Sequence, residues 1–161
     1  MAEEIRNISL SNKRSFSIDG DLNRIIFLDT SDMNILVRLE EVYPEIERLA
    51  VEAADKIVAT KQTNKEEGEE NSEKLDSLVT VLKEIDKKMR EKLNYIFASD
   101  IADACEPTGN MYDAVGGEFR FEHIIGVLSQ LYANDINSEF KKMQERVKKH
   151  TEKYTSRRGK K

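Results

Sequence analysis

The chain has 161 residues, enough for one domain or for one small domain with extensions. With 39% apolar and 35% charged residues it has material for a thin core spread along elongated helices, and with no tryptophan and few aromatics it argues against a broad β-sandwich. One cysteine excludes an internal disulfide and suits a reducing cytoplasm; MAEEIRNISL lacks a signal peptide's apolar run, and no stretch reaches the ~20 apolar residues of a membrane span.

The net charge of −5 hides an asymmetry. Residues 141–161 hold ten basic side chains against two acidic ones, a net of +8, which leaves −13 on the first 140 residues. Such a polarised chain is expected to attract its own copies head to tail, or an acidic partner at its C-terminal end.

RSFSIDGDLNRIIFLDTSD reads as a β-hairpin. Phe16 and Ile18 alternate with serines, DGD signals a tight turn, and RIIFL supplies a second strand. An isolated hairpin is marginal in water, so this one is expected to lean on a helix or to pair with another chain. Thr30, Ser31 and Asp32 are candidate helix caps, because their side-chain oxygens accept free backbone N–H groups. Leu36, Leu39, Val42, Ile46, Leu49, Ala53 and Ile57 then recur at helical spacing. Pro44 interrupts the run and predicts a kink or two shorter helices, because it removes an internal hydrogen bond.

ATKQTNKEEGEENSEK reads as a solvated, flexible linker over 61–74. Leu75, Leu78, Val79, Leu82, Ile85, Met89, Leu93, Ile96 and Phe97 define the next amphipathic helix, with a loose continuation through SDIADACE to Pro107. A glycine-bearing bend follows at 106–117. A last helix is predicted from near Gly117, with Phe119, Phe121, Ile124, Leu128, Tyr132, Ile136, Phe140, Met143 and Val147 among its apolar positions. The expected fold is mainly α: an N-terminal β-hairpin followed by three to four amphipathic helices in an elongated helical domain. Its parts are 1–60 (hairpin plus helix), 61–74 (linker), 75–152 (helical region) and 153–161 (basic tail).

The residue types most suggestive of chemistry lie in ACEPTGNMYDAVGGEFRFEH. Asp103, Cys105, Glu106 and His123 are conceivable around one metal ion, but no paired CxxC or HExxH spacing accompanies them. A nucleophilic Cys105–His123 pair needs a lowered thiol pKa and oxyanion donors, which nothing else in the sequence organises. Neither GxxxxGK[ST] nor GxGxxG is present, so the glycines read as turn formers rather than as a phosphate loop. The reading is therefore a bend, with no catalytic residue, no metal and no cofactor. Met111, Tyr112 and Val115 are apolar for a loop tip and either tuck onto the helices or face a partner. The basic end has charges for phosphates but only Tyr154 for stacking, and the acidic body opposes nucleic acid.

Taken in order, these features resemble the small tail assembly chaperones of long-tailed (siphovirus-type) bacteriophages and prophages of Gram-positive hosts. The resemblance rests on the hairpin entering a helix through FLDTSDMNILVRLEEVYPEIE, and on the charged middle segment. It rests also on YIFASDIADACEPTGNMYDAVGG and on the final helix with its EKYTSRRGKK ending. It implies a non-enzymatic oligomer in the host cytoplasm that binds the tape-measure protein and recruits tail-tube subunits before leaving the finished tail. Met111, Tyr112, Val115, Phe119, Tyr154, Arg157 and Arg158 are the candidate partner-binding residues under that reading. The family often makes a longer form by ribosomal slippage, and Gly159, Lys160 and Lys161 suit the codons on which ribosomes slip. The alternatives are a structural virion or adaptor protein, and a nucleic-acid-binding regulator acting through the basic end.

Overall fold

The computed structural model describes residues 5–10, 12–63 and 69–158, with the side chains of 69–71, 115 and 150–158 outside the described set. Over the described residues the fold is mainly helical, with an N-terminal antiparallel hairpin followed by four helices. Strands β1 (Lys13–Ile18) and β2 (Asp21–Asp29) are joined by Asp19 and Gly20, both at positive φ (52° and 72°). That pair of angles matches the right-handed twist of the strands, which is why DG favours a two-residue hairpin turn.

Pairing runs in register from Lys13–Asp29 to Ser17–Ile25 and then jumps to Ile18–Asp21, so Leu22, Asn23 and Arg24 bulge out of β2. A bulge re-aims the side chains it carries. Beyond it the alternation is clean: Ile26 and Leu28 are buried, whereas Ile25 and Phe27 lie exposed opposite Ser17 and Ser15.

Asp32 starts the first helix: its Oδ1 accepts from the Asn34 N–H at 3.0 Å. Ser31 instead donates from N and Oγ to Asp29 Oδ1, at 3.0 and 2.6 Å. Thr30 is buried against Asn12, which it meets through backbone and side chain.

Helix α1 (Asn34–Thr63) runs as one element through Pro44, where two shorter helices had been an alternative. Pro44 lies on the exposed side, where water can satisfy the carbonyl that its missing N–H leaves bare. The opposite side carries Ile35, Val42, Ile46, Leu49 and Ala53 into the core against α2 (Glu69–Phe97). From α2 come Leu82, Ile85, Met89, Leu93, Ile96 and Phe97, all buried. Polar ties line the edge of this pair: Lys92 Nζ to Glu45 Oε2 at 2.9 Å, the Tyr95 hydroxyl to Glu41 at 2.8 Å, and Arg38 Nε to the Ile96 carbonyl at 2.9 Å. The Lys92 bond is the main reason that the Glu45 carboxyl sits below its ordinary range.

The two ends of the charged segment 61–74, read as a linker, are helical. Residues 61–63 end α1 and 69–74 begin α2, while 64–68 lie outside the described residues. Lysine, glutamate and glutamine are good helix formers, so a polar stretch need not leave the helix.

Helix α2 stops at Phe97 because Ala98 turns to φ 50° and Asn94 Oδ1 takes the next free donors, the N–H groups of Ile101 and Ala102, each at 2.9 Å. In place of the loose continuation to Pro107 that the sequence suggests, there is a break followed by the one-turn helix α3 (Ala102–Cys105). The bend then closes with a miniature hairpin, β3 (Ala114–Val115) and β4 (Glu118–Phe119), turned by Gly116 and Gly117. The last helix, α4 (Arg120–Arg158), therefore starts three residues after Gly117. Two compact units result, one ending at Ile125 and the other beginning at Gly126, so the division falls inside α4 and not in the charged segment.

Candidate interaction surfaces

The bend that looked most like an active site is held together by its polar groups. From α2, Arg90 donates to Asp86 (2.9 Å), Asp103 (3.0 Å) and the carbonyls of Glu106 (2.8 Å) and Gly109 (2.9 Å). Burial alone would weaken this guanidinium's hold on its proton, but the bonds and charges of Asp86 and Asp103 outweigh that and raise its pKa further. Asp86 uses its second oxygen to accept from the Met111 N–H at 2.7 Å. The buried Glu106 carboxylate accepts from the Gly109 N–H at 2.9 Å and stands 2.9 Å from Arg120 Nε. Asp113 accepts from the Asn110 N–H at 3.0 Å.

Gly109 sits between these two carboxylates. A Cβ there would lie 2.7 Å from Glu106 Oε1 and 2.8 Å from Asp113 Oδ2, closer than side chains tolerate. Arg24, carried outward by the β2 bulge, clamps α3 by donating to the carbonyls of Ala104 and Cys105, both at 2.8 Å. These charges satisfy backbone groups that a loop would otherwise leave bare.

The remaining chemical candidates fare accordingly. Burial pushes the Cys105 thiol up from its ordinary pKa, with the charge of Arg24 opposing in part, whereas a nucleophile needs the reverse shift. His123 Nδ1 lies 3.8 Å from Glu118, on the exposed side of α4's first turn. Among the described residues no group of three or more His, Cys, Asp or Glu side chains converges as a metal ion would require.

The predicted partner-binding residues are scattered over different environments. Met111 is a correction: it is 0% exposed, its backbone bonded to Asp86 and to Phe121, and so it belongs to the core rather than to a partner surface. A long unbranched side chain at a loop tip fills core space readily. Tyr112 is half-buried, which raises its phenol pKa, and Phe119 is half-buried in β4 opposite Ala114. Val115 lies in β3, and Tyr154, Arg157 and Arg158 lie on α4, but all four side chains are outside the described residues.

Two exposed apolar faces were not on that list. The first is the distal part of α4, where the buried face of Phe121, Ile124, Leu128 and Tyr132 gives way to Phe140, Met143 and Val147, exposed by 47%, 46% and 60%. With the half-buried Ile136 they follow steps of four, three and four, the spacing of a helix-pairing stripe. An open groove runs along it between Met143, Gln144, Val147 and Lys148.

The second is the outer face of α1. Val37, Pro44, Val51 and Val58 recur at seven-residue spacing and are exposed, flanked by the exposed Leu36 and Tyr43 and the half-buried Ala50 and Ile57, beside a groove that also takes in Glu47, Arg48, Glu52, Asp55 and Lys56. On α4 the signal is the one apolar periodicity of the last helix, continued past the core; on α1 it is a second periodicity, masked by the stronger core pattern.

No family model, curated protein or solved structure matches the chain. Among the described residues, no helix is long and apolar enough to cross a membrane.

Proposed function

We propose that the chain is a non-enzymatic binding protein that holds a helical client, in the manner of a phage tail assembly chaperone acting on the tape-measure protein and tail-tube subunits. The observation that carries this reading is the exposed stripe Phe140, Met143 and Val147 on a helix that extends to Arg158. An amphipathic helix with an exposed apolar stripe is built to lie along another helix, and a long apolar client is what aggregates when left bare. The basic side chains on these turns, among them Lys148 in the groove beside Met143 and Val147, favour an acidic partner and keep the helix soluble. The charged groups of the bend are engaged in holding backbone, which fits a binding protein better than an enzyme.

The test is co-expression of the N-terminally tagged chain with its neighbouring genes, followed by mass analysis of everything retained. A long helical partner should co-purify and be lost on Phe140→Ser with Met143→Ser. Recovery of nucleic acid in place of a protein would reject the reading, as would retention of the partner by the double variant. Mass spectrometry of purified virions separates a chaperone, absent from the particle, from a structural component.

A further inference from the structure

The exposed face of α1 needs a cover of its own. A helix of a globular domain normally presents one apolar stripe, to the core, and its opposite side is polar. Helix α1 presents two: the buried one from Ile35 to Ala53, and the outer row of Val37, Pro44, Val51 and Val58, each exposed. A strict seven-residue repeat over three heptads keeps such a row facing a partner helix if the two wind gently around each other. Between its apolar positions stand the exposed carboxylates Glu40, Glu47 and Asp55; Arg48 and Lys56 line the same groove, Arg48 already paired with Glu45 and Glu52, so the face stays acidic on balance.

The distal α4 stripe is the converse: apolar at Phe140, Met143 and Val147, with Lys141, Lys142, Arg146, Lys148 and Lys149 outnumbering Glu139 and Glu145 along the same turns. Between 141 and 158 the chain has eight basic residues against two acidic ones. Two α4 ends laid on each other would oppose basic side chains, and two α1 faces would oppose carboxylates, arrangements in which like charges cost affinity. One of each satisfies both.

We propose that the distal half of α4 in one copy packs on the outer face of α1 in a second copy. Such an interface is heterologous, so each copy keeps one open face of each kind and the contact propagates into a ring or a filament. A client that takes the α4 stripe would displace the neighbouring copy. The proposal concerns the chain alone and does not depend on the client's identity.

Sedimentation velocity of the full chain without any partner tests it. The wild-type protein should grow beyond 18.5 kDa with concentration, and salt should oppose that growth. Val51→Lys with Val58→Lys, and separately Phe140→Ser with Met143→Ser, should each weaken association at least about tenfold. All four positions are exposed, so circular dichroism should show both variants folded. An equimolar mixture of the two variants should form a complex of one copy of each and stop there, because one intact α4 end meets one intact α1 face. A wild-type protein monomeric at all concentrations overturns the proposal. So does an α1 variant that assembles like the wild type, or a mixture that stays monomeric.

Discussion

The bend at 98–121 and the distal half of α4 make an instructive pair. The bend has the vocabulary of an active site: a cysteine, an arginine, clustered carboxylates and glycines. The end of α4 has mostly basic and small polar side chains and an occasional large apolar residue. Yet the groups of the bend are taken up by one another and by backbone, while the α4 stripe is exposed. Residue type says what a side chain can do; its partners say whether it is at liberty to do it.

The sharpest way to break the comparison is to remove the hub of the bend. Arg90→Ala strips four hydrogen bonds at once and leaves Asp86, half of a largely buried ion pair, without its cation. Losing one partner of such a pair costs about 3 kcal/mol or more, because the other charge stays desolvated. Urea unfolding followed by circular dichroism should show that loss as a lower midpoint. A change under about 0.5 kcal/mol would mean that the bend is held by something other than this network.

Gly109→Ala is the next test and works by crowding rather than by deletion. The new methyl group meets the Glu106 and Asp113 carboxylates, so both must move, and their bonds to the Gly109 and Asn110 N–H groups lengthen. Overpacking of this kind costs about 1–3 kcal/mol. Under the same denaturant a midpoint equal to that of the wild type would show that the carboxylates yield freely.

How far the sequence reveals this division varies with the kind of signal. The hairpin, the α1 and α2 core stripes and the run into α4 were legible because apolar periodicity reports burial directly. The uninterrupted α1 was not, since Pro44 is decided by which side of the helix it occupies and not by its presence. Nor was the break at Ala98, where a non-glycine residue takes a left-handed angle and Asn94 caps the next two donors from within the preceding helix. The role of Arg90 was hidden for a related reason. Its partners lie 13 to 19 residues away in the bend, and no local spacing announces them. Met111 stays open between core and partner in the sequence because its surroundings are glycine and polar; in the fold its side chain is in the core, which removes it from the partner-binding candidates.

On the other side of the comparison, substitutions in the α4 stripe should be almost silent in the folded monomer. Phe140→Ser with Met143→Ser removes side chains that are nearly half exposed, so the unfolding free energy should change by less than about 0.5 kcal/mol. Binding or self-association should nevertheless fall. A variant that loses stability and association together would place the stripe in the fold and erase the contrast.

The smallest expected effect concerns Cys105, and it tests the bend's claim to chemistry most directly. Burial raises the pKa of its thiol in the folded chain, so the protonated form is favoured by folding. The sign follows: the associated stability is complete below the unfolded thiol's value near 9.0 and is lost as pH rises through the folded value. Wild-type protein should therefore lose stability slightly faster than Cys105→Ala as the buffer is taken above that point. At neutral pH a thiol-alkylating reagent should react slowly with the native chain and faster once urea has opened it. Rapid alkylation of the native protein at neutral pH would reveal a thiolate, and only a thiolate would give the bend a nucleophile. A slow reaction together with the alkaline slope would show the cysteine to be part of the packing that Arg24 and Arg90 hold in place.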